Sequence, residues 1–220
     1  MFESVSSTSH DPQTRERLLQ AAGEVFARRG FERATVREIC RKAHANVAAV
    51  NYHFGGKRRL YTEAIQYGVR RALETFPPDL GLGPRPTPEQ RLQAFIRAFL
   101  HRFLDTGQPE WHARLVAREL VEPTPALDAL VERIIRPLSE RLRGIVRDLL
   151  GKQAGDETVR RCTLSIVGQC LLYHHSRPVL ERLYGRQRYT EARIEELARH
   201  ITQFSLGAIR CLRNESERRA

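Results

Sequence analysis

The stretch Thr35–Tyr61 reads TVREICRKAHANVAAVNYHFGGKRRLY, two short helix-forming runs with three residues between them. Thr35 and Glu38 form a Thr-x-x-Glu capping box, which sets the start of the first run. Ile39 and Ala43 are its inward side. After His44-Ala45-Asn46 comes the second run, about Val47 to His53. Two short helices joined by so tight a turn make a helix-turn-helix, whose second helix enters the DNA major groove. The charges fit that task. From Val36 to Tyr61 the basic residues are Arg37, Arg41, Lys42, Lys57, Arg58 and Arg59, and the one acid is Glu38. A surface that lies on phosphates needs such an excess.

Outward from this stretch the chain has helical period and no convincing alternating strand, so the fold class is all-α. A helix over about Gln13–Arg29 carries Leu18, Leu19, Ala22, Val25 and Phe26 on one stripe and stops at Gly30. A long helix begins near Lys57. The Pro- and Gly-rich run 77–86 is a linker. Beyond it, Thr87-Pro88 starts a helix through Phe103. Further helices are expected from Trp111 to Leu120, from Pro123 to about Leu150 with a kink at Pro137, from Asp156 to His175, and from Thr190 to Arg213. A short helical piece is expected over Pro178–Leu183, and Gly107-Gln108-Pro109 is a break. The predicted division is a disordered arm at 1–12, a three-helix DNA-binding domain at 13–60, and a larger helical domain at 61–220, to which the resemblance described below assigns ligand binding and dimerisation.

The 220 residues carry a formal charge of +11 with 41% hydrophobic residues. That supports a packed core and points to a polyanionic partner, nucleic acid ahead of a phospholipid surface. The Ser/Thr-rich start lacks the apolar stretch of a signal peptide, and no run is long enough to span a membrane. A cytoplasmic location is expected. Cys40, Cys162, Cys170 and Cys211 form no CxxC pair and read as reduced, mostly buried fillers. His174 and His175 are adjacent, so on a helix they point about 100° apart and share a metal poorly. No metal and no cofactor is expected.

The segment from Thr14 to Ile65 resembles the DNA-binding domain of the TetR family of repressors. The likeness rests on Gly30-Phe31, Thr35, Ile39, Ala43, Val47, Tyr52-His53-Phe54, Lys57 and Leu60-Tyr61. His44 stands where that family usually has a glycine, at a position that needs a left-handed backbone. The run 48–57, AAVNYHFGGK, is similar to the CecR-type subgroup. So, in order, are Arg118-Glu119, Pro123-Thr124, Arg136-Pro137, Gly168-Gln169 and Phe204-Ser205-Leu206-Gly207. The resemblance implies a homodimeric repressor of a double-stranded palindromic operator, released by a small-molecule effector. It implies that Arg37 reaches a base edge, where a guanidinium pairs with guanine. It places Asn46, Val47, Ala48, Ala49 and Asn51 on the reading helix, and Thr35, Tyr52, His53 and Lys57 on phosphates. Against this, Thr35 can serve only as a cap, His53 only as packing, and Arg58 and Arg59 only as a solvated face. Ile39, Val50 and Phe54 read as core.

Two stripes are candidates for the dimer face: Val159, Cys162, Ile166 and Cys170, then Ile194, Leu197, Ile201, Phe204 and Ala208. In the resembled family the corresponding helices form a four-helix bundle across a two-fold axis. The competing reading is that both stripes pack inside one protomer. An amphipathic effector would suit a cavity lined by Phe99, Phe103, Trp111, Leu115 and Tyr173, with Arg118, Glu119, Gln169 and His174 as polar anchors. Each of these can equally be ordinary packing, and Arg118 with Glu119 an ion pair. Two other functions stay open: an enzyme built on a helical cavity, and a charge-driven DNA coat. No Gly-rich phosphate loop, metal cluster or GxSxG elbow supports the first.

Overall fold

The computed structural model describes residues 12–104 and 111–219. The expected arm lies outside the described residues except for Pro12, and so does the break at 107–109. Among the described residues eleven α-helices follow one another: α1 (Pro12–Arg33), α2 (Val36–Ala43), α3 (Val47–Phe54), α4 (Lys57–Thr75), α5 (Pro88–Leu104), α6 (Trp111–Val121), α7 (Ala126–Leu130), α8 (Arg136–Leu150), α9 (Asp156–His175), α10 (Arg177–Tyr184) and α11 (Glu191–Arg219). There is no strand among the described residues.

The chain divides into two compact units. The first takes the N-terminal residues up to Arg71 together with Trp111–Val131; the second takes Ala72–Glu110 and Glu132–Ala220. This line differs from the expected division at residue 60, because α6 packs on α1 and stays with the N-terminal helices. The cause is visible at Trp111. Its indole lies against Gly23 of α1 and Gly68 of α4, and a Cβ at Gly68 would come within 2.6 Å of the ring. Two glycines on facing helices thus leave a slot that only this ring fills.

α1 extends past the expected stop. Gly30 breaks the helix with φ 75° and ψ 171°, after which Phe31–Arg33 add a last turn. Phe26, Phe31 and Tyr61 form an aromatic cluster at centroid separations of 4.9, 5.0 and 6.2 Å, joining α1 to α4. The long helix expected over 123–150 is three pieces. α7 passes into a π-helical turn at Val131–Ile135, directly before Arg136-Pro137. Pro137 has no N–H to give to the preceding turn, and a slipped hydrogen-bond register takes up that defect.

In the second unit α5, α8, α9 and α11 share one apolar core, with Leu92, Ile96, Leu100, Leu142, Val146, Val159, Ile166, Ile194 and Ile201 at its centre. Thr87 caps α5 reciprocally: Gln90 N–H donates to its Oγ1 at 3.3 Å, and its own N–H donates to Gln90 Oε1 at 2.9 Å. Cys40, Cys162 and Cys170 are buried thiols and Cys211 is exposed. Burial pushes the Cys170 thiol up to about 12, opposed in part by the Arg102 charge. No described helix is long and apolar enough to cross a membrane.

Candidate nucleic-acid interface

α2 and α3 are built as the capping chemistry requires. Glu38 N–H donates to Thr35 Oγ1 at 3.2 Å. At the far end His44 takes φ 49° and ψ 48°, the one non-glycine residue with positive φ among those described. Its N–H and that of Ala45 close on Arg41 and Cys40 carbonyls at 3.3 and 2.9 Å. The turn keeps its left-handed corner without a glycine. Asn46 Oδ1 then accepts from Ala48 N–H at 2.9 Å, opening α3. Gly55, at φ 67°, ends it.

This frame sorts the residues of α3 by direction. Ala49, Val50 and Phe54 are buried on the side that packs on α1 and α2. Ala49 was expected at DNA. At 5% exposure it is buried in the packing of the domain instead. Val47 and Tyr52 are 42% and 56% exposed, and Ala48 and Asn51 are also exposed. Apolar surface turned to solvent on a helix this short fits a helix made to meet a partner. His53 is half-buried, and its Nε2 has no protein partner.

The surrounding charges divide in the same way. Arg37, Arg41 and Arg58 are exposed and make no ion pair with a described residue. Lys42 pairs with Glu24 at 2.7 Å, and Arg59 with Glu63 at 3.0 Å. Lys57 is tethered: its Nζ donates to the Glu32 carbonyl at 3.1 Å and lies 4.7 Å from the Phe31 ring centroid. Held there at the start of α4, it sits where unpaired helix N–H groups favour an anion. Glu38, the single acid, is held from behind by Arg28 at 2.7 Å and Arg29 at 2.9 Å. Desolvation pushes its carboxyl up, but the two guanidinium groups more than offset this and hold it below its ordinary range.

The nine residues expected to line one effector cavity fall into two groups. Trp111, Leu115, Arg118 and Glu119 belong to the first unit; Phe99, Phe103, Gln169, Tyr173 and His174 belong to the second. Trp111 fills the glycine slot and Leu115 is fully buried. Arg118 and Glu119 are not an ion pair. The Glu119 carboxylate, itself fully buried, accepts from Tyr61 Oη at 2.6 Å, Thr124 N–H at 2.7 Å and Thr124 Oγ1 at 2.8 Å. In the second unit Phe99 and Phe103 stack at 4.9 Å, with His174 5.5 Å from Phe103. Gln169 Nε2 donates to the Ser165 carbonyl and to Ser205 Oγ, which ties α9 to α11.

The two stripes expected at the dimer face mostly pack inward. Val159, Cys162, Ile166, Cys170, Ile194, Leu197 and Ile201 are all in the core of their own protomer. Phe204, at 64% exposure, and Ala208 are not. What α9 and α11 leave outside is a second stripe: Leu164, Gly168 and Leu172 on α9, then Phe204, Gly207 and Ala208 on α11. Sequence reading missed Leu164 and Leu172. Their four-residue relation to Gly168 was a signal, hidden by the stronger core stripe beside it.

Residues 18–64 match the family described as bacterial regulatory proteins, tetR family. Residues 88–209 match the C-terminal domain of the HTH-type transcriptional dual regulator CecR. The dual regulator CecR of Shigella flexneri is 26% identical over 198 residues, covering 86% of this chain and 88% of that protein. The transcriptional repressor NicS of Pseudomonas putida is 26% identical over 177 residues, covering 76% and 79%. A TetR-like transcriptional regulator of Rhodococcus sp. RHA1 superposes with a TM-score of 0.59 at 18% identity, covering 88% of this chain and 96% of that one.

Proposed function

Because this chain belongs to the TetR family of transcriptional regulators, with a C-terminal domain of the CecR type, we propose that it is a homodimeric repressor released from a palindromic operator by a small amphipathic effector. The observation that carries the reading is the outward face of α3, where Val47, Ala48, Asn51 and Tyr52 stand clear of the packing. Arg37 on α2 and Arg41 beside it add cations that make no ion pair with a described residue. Small side chains let the helix sit deep and touch thymine methyls, Asn51 suits adenine, and Arg37 suits guanine. Thr35, Tyr52, His53 and Lys57 set the register on phosphates.

Two reading helices must lie about 34–36 Å apart to meet successive major grooves, so the reading requires a two-fold pair. The exposed stripe of α9 and α11 supplies its surface: Leu164, Leu172 and Phe204 for apolar area, with Gly168, Gly207 and Ala208 for close approach. For the effector, the half-buried group Phe99, Phe103, Tyr173 and His174 in the second unit combines stacked rings with one titratable nitrogen. Occupancy there favours one arrangement of the pair over another by its difference in affinity for the two.

The test is a mobility-shift titration with an inverted repeat from the DNA beside the gene, against random duplex at fixed salt. A preference of about a thousandfold or more is expected for a specific site. Equal affinity for both duplexes would leave only a charge-driven DNA coat.

A further inference from the structure

A groove of about 920 Å³ runs through the first unit, between the last turn of α1, the start of α4 and the end of α6. It is within the size range of small-molecule sites. Its walls hold four guanidinium groups, Arg28, Arg29, Arg33 and Arg118, against two carboxylates, Glu32 and Glu122. Arg28 and Arg29 are engaged by Glu38. Arg33 and Arg118 make no ion pair with a described residue.

Arg118 is the decisive side chain. Among the described residues it is the one half-buried arginine with neither an ion pair nor a hydrogen bond. Arg91, Arg97, Arg143 and Arg177, similarly covered, each meet a carboxylate. The buried Arg102 donates to the Phe76 carbonyl at 2.7 Å. The Arg118 guanidinium lies directly over Gly30, where a Cβ would collide with it and where φ is 75°. Glu119, its neighbour in sequence, makes no direct contact with it, since that carboxylate is turned to Tyr61 and Thr124. A guanidinium with no carboxylate in direct contact keeps its N–H donors available to an incoming anion.

We propose that this groove binds a small molecule with a phosphate or carboxylate head, gripped by Arg118 and Arg33. Charge-assisted forks onto such oxygens are among the stronger polar contacts a protein makes. The volume exceeds what a bare ion fills, and Phe31 and Pro123 offer apolar edges to an organic body. A ligand here joins α6 to the end of α1, the turn that leads straight into Thr35 and α2. The site lies wholly in the first unit and does not depend on the effector reading above.

The test uses the full chain without DNA. Inorganic phosphate and glycerol phosphate are titrated by calorimetry, against chloride at matched ionic strength. Saturable binding is expected, with a rise in Tm on occupancy. Arg118→Gln should weaken it roughly tenfold or more, the loss of a charged hydrogen-bond pair. Arg70→Gln, an exposed arginine on α4, should change nothing, and Glu122→Gln should tighten binding by removing a negative charge from the same wall. Absence of saturable binding, or equal losses in Arg118→Gln and Arg70→Gln, overturns the proposal, as does an unchanged affinity in Glu122→Gln. A mobility shift in phosphate-free buffer separates the DNA backbone as the true anion. There Arg118→Gln should bind operator as the wild type does, and a loss matching that of Lys57→Ala would assign the guanidinium to DNA and overturn the ligand.

Discussion

α3 and α9 use apolar residues in opposite ways. On α3, eight residues long, Val47 and Tyr52 face solvent while three neighbours do all the packing. On α9, twenty residues long, the conspicuous stripe of Val159, Cys162, Ile166 and Cys170 is spent on the protomer's own core, and the residues left over form the exposed face. A long helix in a bundle must first bury a stripe to be stable at all. Its partner surface is therefore what that stripe leaves behind. A short helix held by caps at both ends needs fewer buried residues and can present the rest.

The largest expected effect tests the α9 half of this comparison. Ile166→Ala should lower protomer stability by about 2–5 kcal/mol, measured by urea unfolding. Phe204→Ala on α11 should change that quantity little, since most of the side chain is already in water. It should instead raise the dimer dissociation constant, by about thirtyfold if Phe204 anchors the interface, read by sedimentation at several concentrations. If Phe204→Ala costs as much stability as Ile166→Ala and leaves association alone, the division between core stripe and partner stripe fails.

The next effect lies within the first unit. Glu119→Gln puts an NH2 group among three donors, Tyr61 Oη–H, Thr124 N–H and Thr124 Oγ1–H. A cost of about 1–3 kcal/mol is expected in urea unfolding, the usual range for a buried group left unsatisfied. Tyr61 reports on the same contact: desolvation and the Glu119 carboxylate raise its pKa well above the ordinary phenol value. The variant should bring that titration back down, followed by ultraviolet absorbance.

Much of the fold and of the reading helix was legible in the sequence, because caps and turns act over a few residues. Thr35 with Glu38, and Thr87 before Pro88, declare themselves within three positions. So does the left-handed corner at His44. What could not be read acts at distance. Glu119 meets Tyr61 across 58 positions of chain. The slot for Trp111 is made by Gly23 and Gly68, which look like ordinary small residues in two separate helices. The π-helical turn before Pro137 was foreseen only as a kink. Ala49 was assigned to DNA with its neighbours because small residues carry little directional signal; the packing of α3 decides it.

For the reading surface, Lys57→Ala and Arg37→Ala separate register from specificity. Lys57→Ala should weaken operator and random DNA alike and lower the salt slope by about one charge. Arg37→Ala should cost about 1–3 kcal/mol at one base pair and relax preference there, scored by operator variants in mobility shift. Parallel losses on every sequence in both variants would make α2 a phosphate clamp only, leaving α3 as the sole reader.

The smallest effect concerns how that surface stays positive. Glu38 is the one acid between Val36 and Tyr61, and Arg28 and Arg29 on α1 hold it, which leaves Arg37 and Arg41 without an ion pair to a described residue. Its folded pKa lies below the ordinary 4.5 of the unfolded chain. The stabilisation is therefore fully present above that value and is lost as pH falls through the folded pKa. Melting temperatures of wild type and Glu38→Gln should differ at neutral pH and converge as pH falls through the folded pKa. The gap should also narrow with added salt, since the arginine partners are half or more exposed. A gap that persists at low pH would mean the Glu38 side chain acts by shape, and the positive face of α2 would then owe nothing to the two arginines behind it.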